Sequence, residues 1–194
     1  MTTKELLPNE ERASTASIQQ YQRKTGSVLY LAVITRPDIA FAVSRLCRFN
    51  MNPSNDHHKA LDHLFRYLQN TRALALQLGG TDTFNIYSDA SFADNTINQK
   101  SSQAYVIKLF GGTIGWRANK QDTVTTSTTE AELLALTQAA KESIFISRLI
   151  TELGVTLDNR SIIIQCNNTQ TIRLINSDVA LLQTKLQHVD IHNH

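Results

Sequence analysis

Hydrophobic residues follow two different periods along the chain, and the change falls near residue 80. Before it, apolar positions recur three or four residues apart, which is the period of an amphipathic helix. The spacing predicts three helices: one over about 20–34, one that begins at Pro37, and one that follows "NPSND". Proline suits a first helical position, and either Ser54 or Asn55 can cap the third helix.

The two flanks of this helical region are predicted to be non-helical. Residues 1–19 are polar and lack a sustained period, so we expect a linker or a disordered N-terminus. At the other flank, Leu74–Leu78 is predicted to form a short strand before a turn at Gly79-Gly80. Residues 20–79 are therefore expected to be a helical segment, and residues 80–194 a second domain.

Beyond residue 80 the pattern is that of strands. "FNIYSD", "AYVIKLF" and "TIGWRA" are three short candidates, and the close spacing of the last two predicts an antiparallel hairpin. A long helical block runs from about Ser127 to Leu153, either continuous or broken near Lys141, and Gly154 is a suitable C-terminal stop.

The end of the chain supplies a fourth strand and a short helix. "SIIIQC" is a continuous apolar run, which is typical of a strand buried on both faces, and a helix is predicted over about 169–177. The order βββ-α-β-α predicts an α/β fold in which the first and fourth strands pair in parallel.

Charge and cysteine content change this picture only a little. The net charge is +2, but residues 1–78 carry 10 Lys and Arg against 6 Asp and Glu, whereas residues 79–194 carry 9 against 11. The acidic second part must avoid phosphates or hold cations. Two free cysteines favour a reducing compartment, and the longest apolar run, "VLYLAVI", is too short to span a membrane.

Three polar positions are candidates for chemistry. Asp89 ends the first strand, and Glu130 and Glu132 open the long helix, although acids at these places also serve turns and helix starts. Glu130 and Glu132 lie about 200° apart on a helix, so only one of them can face Asp89, and spacing alone does not decide which. Parallel pairing of the first and fourth strands brings Asp89 and Asn167 to the same edge of the sheet.

The chain resembles a known family through several motifs in the same order. "GSVLYLAVITRPDIAFAVSRLCRF", "LFRYLQNT", "YSDASFAD", "WRANKQDTVTTSTTEAELLAL", "QCNNTQTI" and "TKLQHVDIHNH" are similar to the Pol polyprotein of copia-type LTR retrotransposons. The matched region runs from the end of the reverse transcriptase into its ribonuclease H domain. The resemblance implies a ribonuclease-H-like mixed sheet, with three antiparallel strands, a parallel fourth and flanking helices, preceded by a small helical segment.

The resemblance also implies a catalytic set and reveals two departures from it. Asp89 and Glu132 correspond to metal ligands, and Asn167 stands where the family has a third catalytic aspartate. The cofactor implied is Mg²⁺, held as two ions that hydrolyse the RNA strand of an RNA–DNA hybrid. No segment matches the final strand and its fourth acid, so we expect a degenerate or truncated ribonuclease H domain with impaired cleavage.

Contacts with nucleic acid are implied for further residues. These are Ser91, Trp116, Arg117, Ser127, Thr128 and Asn168. The alternative, purely structural roles are core packing for Trp116 and helix capping for Ser127, Thr128 and Asn168.

The expected partners are an RNA–DNA hybrid or duplex, the remainder of a reverse transcriptase, and a second copy that pairs at an open sheet edge. The expected location is the cytoplasm, within a virus-like particle, or the nucleus. The alternatives left open are an inactive nucleic-acid-binding or protein-interaction module and an inert relic.

Overall fold

The chain divides into two compact units, Met1–Leu76 and Gln77–His194, called here the helical unit and the sheet unit. The computed structural model describes residues 6–81, 83–95, 98–157 and 162–176. None of the helices within these ranges is long and apolar enough to cross a membrane.

The described residues of the helical unit form three α-helices and one short 3₁₀ helix. They are α1 (Thr15–Ile34), a 3₁₀ helix (Pro37–Ile39), α2 (Ala40–Cys47) and α3 (Asn55–Asn70). The predicted stripes form its core, in which Tyr21, Val28, Val43 and Leu61 are fully buried. The helix predicted from about residue 20 begins at Thr15, because the Ser14 hydroxyl accepts a hydrogen bond from the Ser17 N–H.

The starts of the next two helices agree with the sequence. Pro37 occupies the first position of the 3₁₀ helix, as its missing N–H allows. Ser54 is the N-cap of α3, and His57 completes a capping box whose ring Nδ1 accepts the Ser54 N–H at 2.8 Å. The ring of His57 is fully buried and stacks on Phe49 with 3.7 Å between centroids.

The described residues of the sheet unit form four strands and two helices. They are β1 (Phe84–Ser91), β2 (Ser102–Leu109), β3 (Gly112–Lys120), α4 (Thr128–Glu152), β4 (Ile163–Cys166) and α5 (Thr169–Ile175). The order across the sheet is β3-β2-β1-β4, with antiparallel pairing throughout except for the parallel β1–β4 pair. The predicted α/β class and the mixed sheet are confirmed.

Helix α4 covers one face of the sheet. Ala139 in α4 packs with Ile86 of β1 and Ile107 of β2, and all three are essentially buried. The helix is continuous past Lys141, so the alternative of a break is wrong. It ends at Glu152 with Leu153 as its C-cap, and Gly154 follows with a φ of +70°, as a C-terminal stop requires.

Two predictions about strands are wrong. Residues 74–78 form no strand, and Leu74 and Leu78 are both exposed, because no neighbouring strand pairs with this segment. Strand β4 is not buried on both faces, since Ile163 is 47% exposed and β4 lies at the edge of the described sheet. The predicted absence of a last strand concerns the part of the chain after α5, and residues 177–194 lie outside the described residues.

Candidate two-carboxylate site

The parallel pairing of β1 and β4 brings the first and third candidate residues to one edge of the sheet. The last matched pair is Ser88 with Cys166. Asp89 comes next in β1, two residues before the strand ends at Ser91 rather than at its end as predicted, and Asn167 directly follows β4. Both of these side chains are exposed. The strand ends therefore present one carboxylate and one amide at the same edge.

Glu132 joins this edge from the first part of α4. It is only 6% exposed, and its carboxylate oxygen accepts from the Cys166 thiol at 3.9 Å. The backbone N–H of Ala90, the residue after Asp89, lies near this carboxylate and lowers its pKa. Glu132 is thus held between the end of β1 and the end of β4.

Glu130 forms hydrogen bonds at the start of α4 instead of approaching β1. Its carboxylate accepts the backbone N–H of Thr126 at 2.6 Å and the Thr126 hydroxyl at 2.8 Å. Its own N–H donates to the Ser127 hydroxyl at 3.1 Å. Glu130 therefore satisfies donors at the helix start, which leaves Glu132 as the acid of α4 that approaches β1.

The electrostatics of the site are those of two like charges close together. Burial raises the pKa of the Glu132 carboxyl group, and the negative charge of Asp89 raises it further. Burial likewise raises the pKa of the Cys166 thiol, with a further contribution from Glu132. Within the described residues, neither Asp89 nor Glu132 forms an ion pair with a lysine or arginine.

This donor set suits one magnesium ion better than two. Mg²⁺ is commonly bound by one or two carboxylates, with water and substrate phosphate oxygens completing its coordination. Asp89 and Glu132 supply that number, and Asn167 adds only a neutral amide oxygen. No cluster of three or more His, Cys, Asp or Glu side chains able to hold a metal occurs in the part of the chain that the structure describes.

Three residues with predicted nucleic-acid contacts lie at helix starts. Ser127 is the N-cap of α4, and the exposed Thr128 follows it as the first helical residue. Asn168 is the N-cap of α5, where its side-chain oxygen accepts the N–H groups of Gln170 and Thr171, both at 3.0 Å. The capping alternative is confirmed for Ser127 and Asn168.

Trp116 and Arg117 project from opposite faces of the sheet. Arg117 pairs across the sheet with Tyr105, which packs against the core that contains Ala139 of α4, so Arg117 lies on the face that α4 covers. Trp116 pairs with Val106 on the other face and is half-buried. The two side chains do not share a surface. Ser91 is the exposed last residue of β1.

Sequence reasoning missed two residues that contact Glu132 or the residue before it. One is Cys166, whose thiol contacts Glu132, and the other is Gln121, which is buried and hydrogen-bonds to α4. The position of Cys166 directly before Asn167 was the available signal for the first. Nothing in the local sequence pattern marks Gln121.

Three similar proteins place the chain among known sequences. The retrovirus-related Pol polyprotein from transposon TNT 1-94 of Nicotiana tabacum is 36% identical over 195 residues, which is 99% of this chain and 14% of that protein. The one from transposon RE1 of Arabidopsis thaliana is 35% identical over 177 residues, or 90% of this chain and 12% of that protein. The secreted RxLR effector protein 161 of Plasmopara viticola is 40% identical over 129 residues, or 66% of this chain and 91% of that protein. No protein-family model matches the chain.

The mixed sheet, with α4 on one face and polar strand ends at one edge, defines an α/β protein of the ribonuclease-H-like fold. The similarity to two plant relatives extends over nearly the whole chain. The chain belongs to the retrovirus-related Pol polyproteins of copia-type transposons, and it spans 12% to 14% of the length of those two relatives.

Proposed function

We propose that the sheet unit is the ribonuclease H domain of a retrotransposon Pol polyprotein, that it binds RNA–DNA hybrids with the help of Mg²⁺, and that its cleavage of the RNA strand is impaired. One observation carries the proposal: Glu132 lies beside the β1 end that bears Asp89, while Asn167 occupies the matching end of β4.

The two carboxylates at this edge of the sheet have different environments. Asp89 is exposed and presents its carboxylate to solvent, whereas Glu132 is buried and accepts from the Cys166 thiol. Their uncompensated negative charge favours a divalent cation. A bound Mg²⁺ ion would supply Lewis-acid stabilisation of charge on the phosphate of the nucleic acid.

The amide at Asn167 accounts for impaired cleavage. A charge pair at about 4 Å is worth roughly 4 kcal/mol at an effective dielectric constant near 20, before desolvation offsets part of it. Each 1.4 kcal/mol lost from transition-state stabilisation lowers the rate about tenfold. Replacement of one carboxylate by an amide therefore lowers the expected rate by several powers of ten.

The experiment is a titration of a labelled RNA–DNA hybrid with the full chain, with and without Mg²⁺, followed by strand separation on a gel. We expect Mg²⁺-enhanced binding with little cleavage, and we expect Asp89→Asn to remove the Mg²⁺ effect. Asp122→Asn is the control, because Asp122 is exposed and lies outside the acid pair. Robust cleavage by the unaltered chain, or binding that ignores both Mg²⁺ and Asp89→Asn, would reject the proposal.

We propose that the helical unit also binds the phosphate backbone of the duplex, independently of base sequence. The support is its excess of basic residues, 10 Lys and Arg against 6 Asp and Glu over residues 1–78. Such contacts weaken as salt concentration rises, because they release counterions. In this proposal, the rest of the reverse transcriptase supplies the polymerase activity.

A second candidate is a protein-interaction module without nuclease activity. It is favoured by the similarity to the Plasmopara viticola protein, whose name describes a secreted effector and of which the match covers 91%. In that relative, the shared region makes up nearly the whole protein rather than a small part of a polyprotein. The hybrid titration separates the two candidates, since an interaction module predicts no hybrid affinity at any Mg²⁺ concentration.

A further inference from the structure

We propose that Gln121 is a positioning residue that holds Glu132 in place beside the end of β1. This inference rests on the proposed function for its biological meaning, since it concerns the same acid pair. It differs from that function in assigning a task to a buried side chain that touches neither the cation nor the nucleic acid.

Gln121 connects the end of β3 to the residue before Glu132. It follows Lys120, the last residue of β3, and is only 3% exposed. Its side-chain Nε2 donates to the backbone carbonyl of Ala131 at 2.8 Å. Ala131 is fully buried, so this bond is shielded from water. It therefore fixes the position of the start of α4 relative to the end of β3.

A second buried residue extends the connection towards Asp89. The backbone N–H of Gln121 donates to the carbonyl of Ser101 at 2.8 Å. The Ser101 hydroxyl accepts the N–H of Ala93 at 3.0 Å, and Ala93 lies in the turn that follows β1. A continuous chain of hydrogen bonds therefore runs from the segment after Asp89, through Ser101 and Gln121, to the segment that carries Glu132.

The segment that leads into α4 also contacts Ser101. The hydroxyl of Ser101 lies 2.9 Å from that of Thr125, and both residues are buried. The caps from Ser127 and Glu130 satisfy the helix's own end groups, but they do not connect it to the sheet. The Gln121 bond makes that connection, and the placement of a reacting side chain depends on such supporting contacts.

The backbone N–H of Ala90, which lies near the Glu132 carboxylate and lowers its pKa, offers a readout of this positioning. Amide hydrogen exchange by NMR reports the protection of this N–H without any metal or nucleic acid. In Gln121→Met, which keeps the volume but removes the donor, we expect exchange at Ala90 to be about tenfold faster, as for loss of one hydrogen bond of ordinary strength. Exchange at Ile86, in the middle of β1, should stay within about twofold of the unaltered chain.

A matched control comes from α4 itself. Ser143 is buried and its hydroxyl donates to the Ala140 carbonyl at 2.8 Å, but it lies three turns beyond Glu132. Ser143→Ala should leave exchange at Ala90 unchanged. Equal exchange at Ala90 in Gln121→Met and the unaltered chain would overturn the inference, and so would a uniform acceleration at Ala90 and Ile86.

A milder variant covers the case in which Gln121→Met does not fold. Ser101→Ala removes the hydroxyl bonds to Ala93 and Thr125 but keeps the carbonyl that accepts from Gln121, and it should also accelerate Ala90 more than Ile86. Unchanged exchange at Ala90 in a folded Ser101→Ala chain would then count against the inference. Failure of the unaltered chain to bind Mg²⁺ would reject the proposed function while leaving the exchange result, and therefore this inference, standing.

Discussion

The thiol of Cys166 donates to the carboxylate of Glu132 at 3.9 Å, although the two residues lie 34 positions apart in the sequence. The contact joins the end of β4 to the first part of α4. Burial raises the pKa of Glu132, and Asp89 at the neighbouring strand end raises it further. Residues from β1, β4 and the first part of α4 therefore lie close together at this edge of the sheet.

The charge of Asp89 should be measurable at Glu132. We expect Asp89→Asn to lower the pKa of the Glu132 carboxyl group, because it removes a nearby negative charge and leaves the burial unchanged. A ¹³C NMR titration of the side-chain carboxyl carbon measures it. Glu142→Gln, further along α4, serves as the control and should leave that pKa where it is. A Glu132 pKa that does not respond to Asp89→Asn would contradict the described proximity.

Restoring the third acid should strengthen metal binding. Asn167→Asp adds a charge at the edge that Asp89 occupies, and we expect Mg²⁺ or Mn²⁺ affinity to rise about tenfold or more, measured by isothermal titration calorimetry. Asn168→Asp is the matched control, because it adds the same charge one residue later while an aspartate still caps α5. If both variants raise the affinity equally, the position of Asn167 has no special role.

Gly112 should tolerate no side chain. A Cβ placed there would lie 2.8 Å from the Cα of Leu78 and 2.9 Å from the backbone N of Gly79. We expect Gly112→Ala to lower the free energy of unfolding by about 1–3 kcal/mol, since backbone must shift to admit the methyl group. Gly115→Ala, whose added Cβ would meet Ile107 at 3.8 Å, should change it by less than about 0.5 kcal/mol. Urea denaturation measures both, and equal effects would contradict the close approach of residues 77–79 to β3.

Arg36 and Asp38 should hold the helical unit together. Arg36 donates to both oxygens of Asp38 at 2.9 and 2.7 Å and also reaches the Thr71 hydroxyl at 2.7 Å. Asp38→Asn should destabilise the unit by about 2 kcal/mol, because it leaves the largely buried guanidinium without its counter-charge. Hydrogen exchange of the α3 amides reports this loss.

A second aspartate of the helical unit supplies the comparison. Asp62 pairs with Lys24 at 2.6 Å, but its side chain is 54% exposed. Asp62→Asn should therefore cost no more than about 0.5 kcal/mol. Similar losses from Asp38→Asn and Asp62→Asn would mean that burial of Arg36 adds nothing.

The helical unit should lose stability in mild acid. Burial lowers the pKa of His57 from its ordinary value of 6.5, and burial lowers that of His58 as well. The unfolded chain therefore binds protons that the folded chain resists, so stability is complete above pH 6.5 and falls as the pH drops below it. The proton would also occupy Nδ1, which accepts the Ser54 N–H.

The variant His57→Gln tests the origin of that pH dependence. Glutamine at this position keeps a capping-box acceptor but cannot be protonated. It should lower stability at pH 8, since the stack on Phe49 is lost, and it should flatten the fall between pH 8 and pH 5. Chemical denaturation at several pH values measures both. An unchanged slope would assign the acid sensitivity to other groups, His58 first.

The elements that the sequence predicted well are those whose signals are local. The cap at Ser54, the stop at Gly154 and the long period of α4 depend on residues within one or two turns of one another. The strand predicted at Leu74–Leu78 failed because its apolar alternation has no partner strand. Strand β4 was misjudged because burial depends on what lies beside a strand, which its own residues do not encode.

The part of the site that follows from the order and direction of the strands could be predicted from the sequence. Parallel pairing of β1 and β4 sufficed to bring Asp89 and Asn167 to one edge. Spacing left Glu130 and Glu132 open and the family resemblance favoured Glu132, while the hydrogen bonds of Glu130 to Thr126 are a property of the folded loop. The role of Gln121 could not be predicted for a similar reason. Its partner is the backbone carbonyl of Ala131, which any residue would supply, so the sequence carries no mark of the contact.

The placement of Trp116 gives the sheet unit its own fluorescent reporter. The chain contains one tryptophan, and the helical unit therefore has none. Because this indole lies half-buried on the sheet face turned away from α4, a ligand or protein that covers that face would shift its emission, whereas one that contacts only the helical unit would leave the spectrum as it is. Emission spectra can thus assign an unknown partner to one unit or the other before any variant is made.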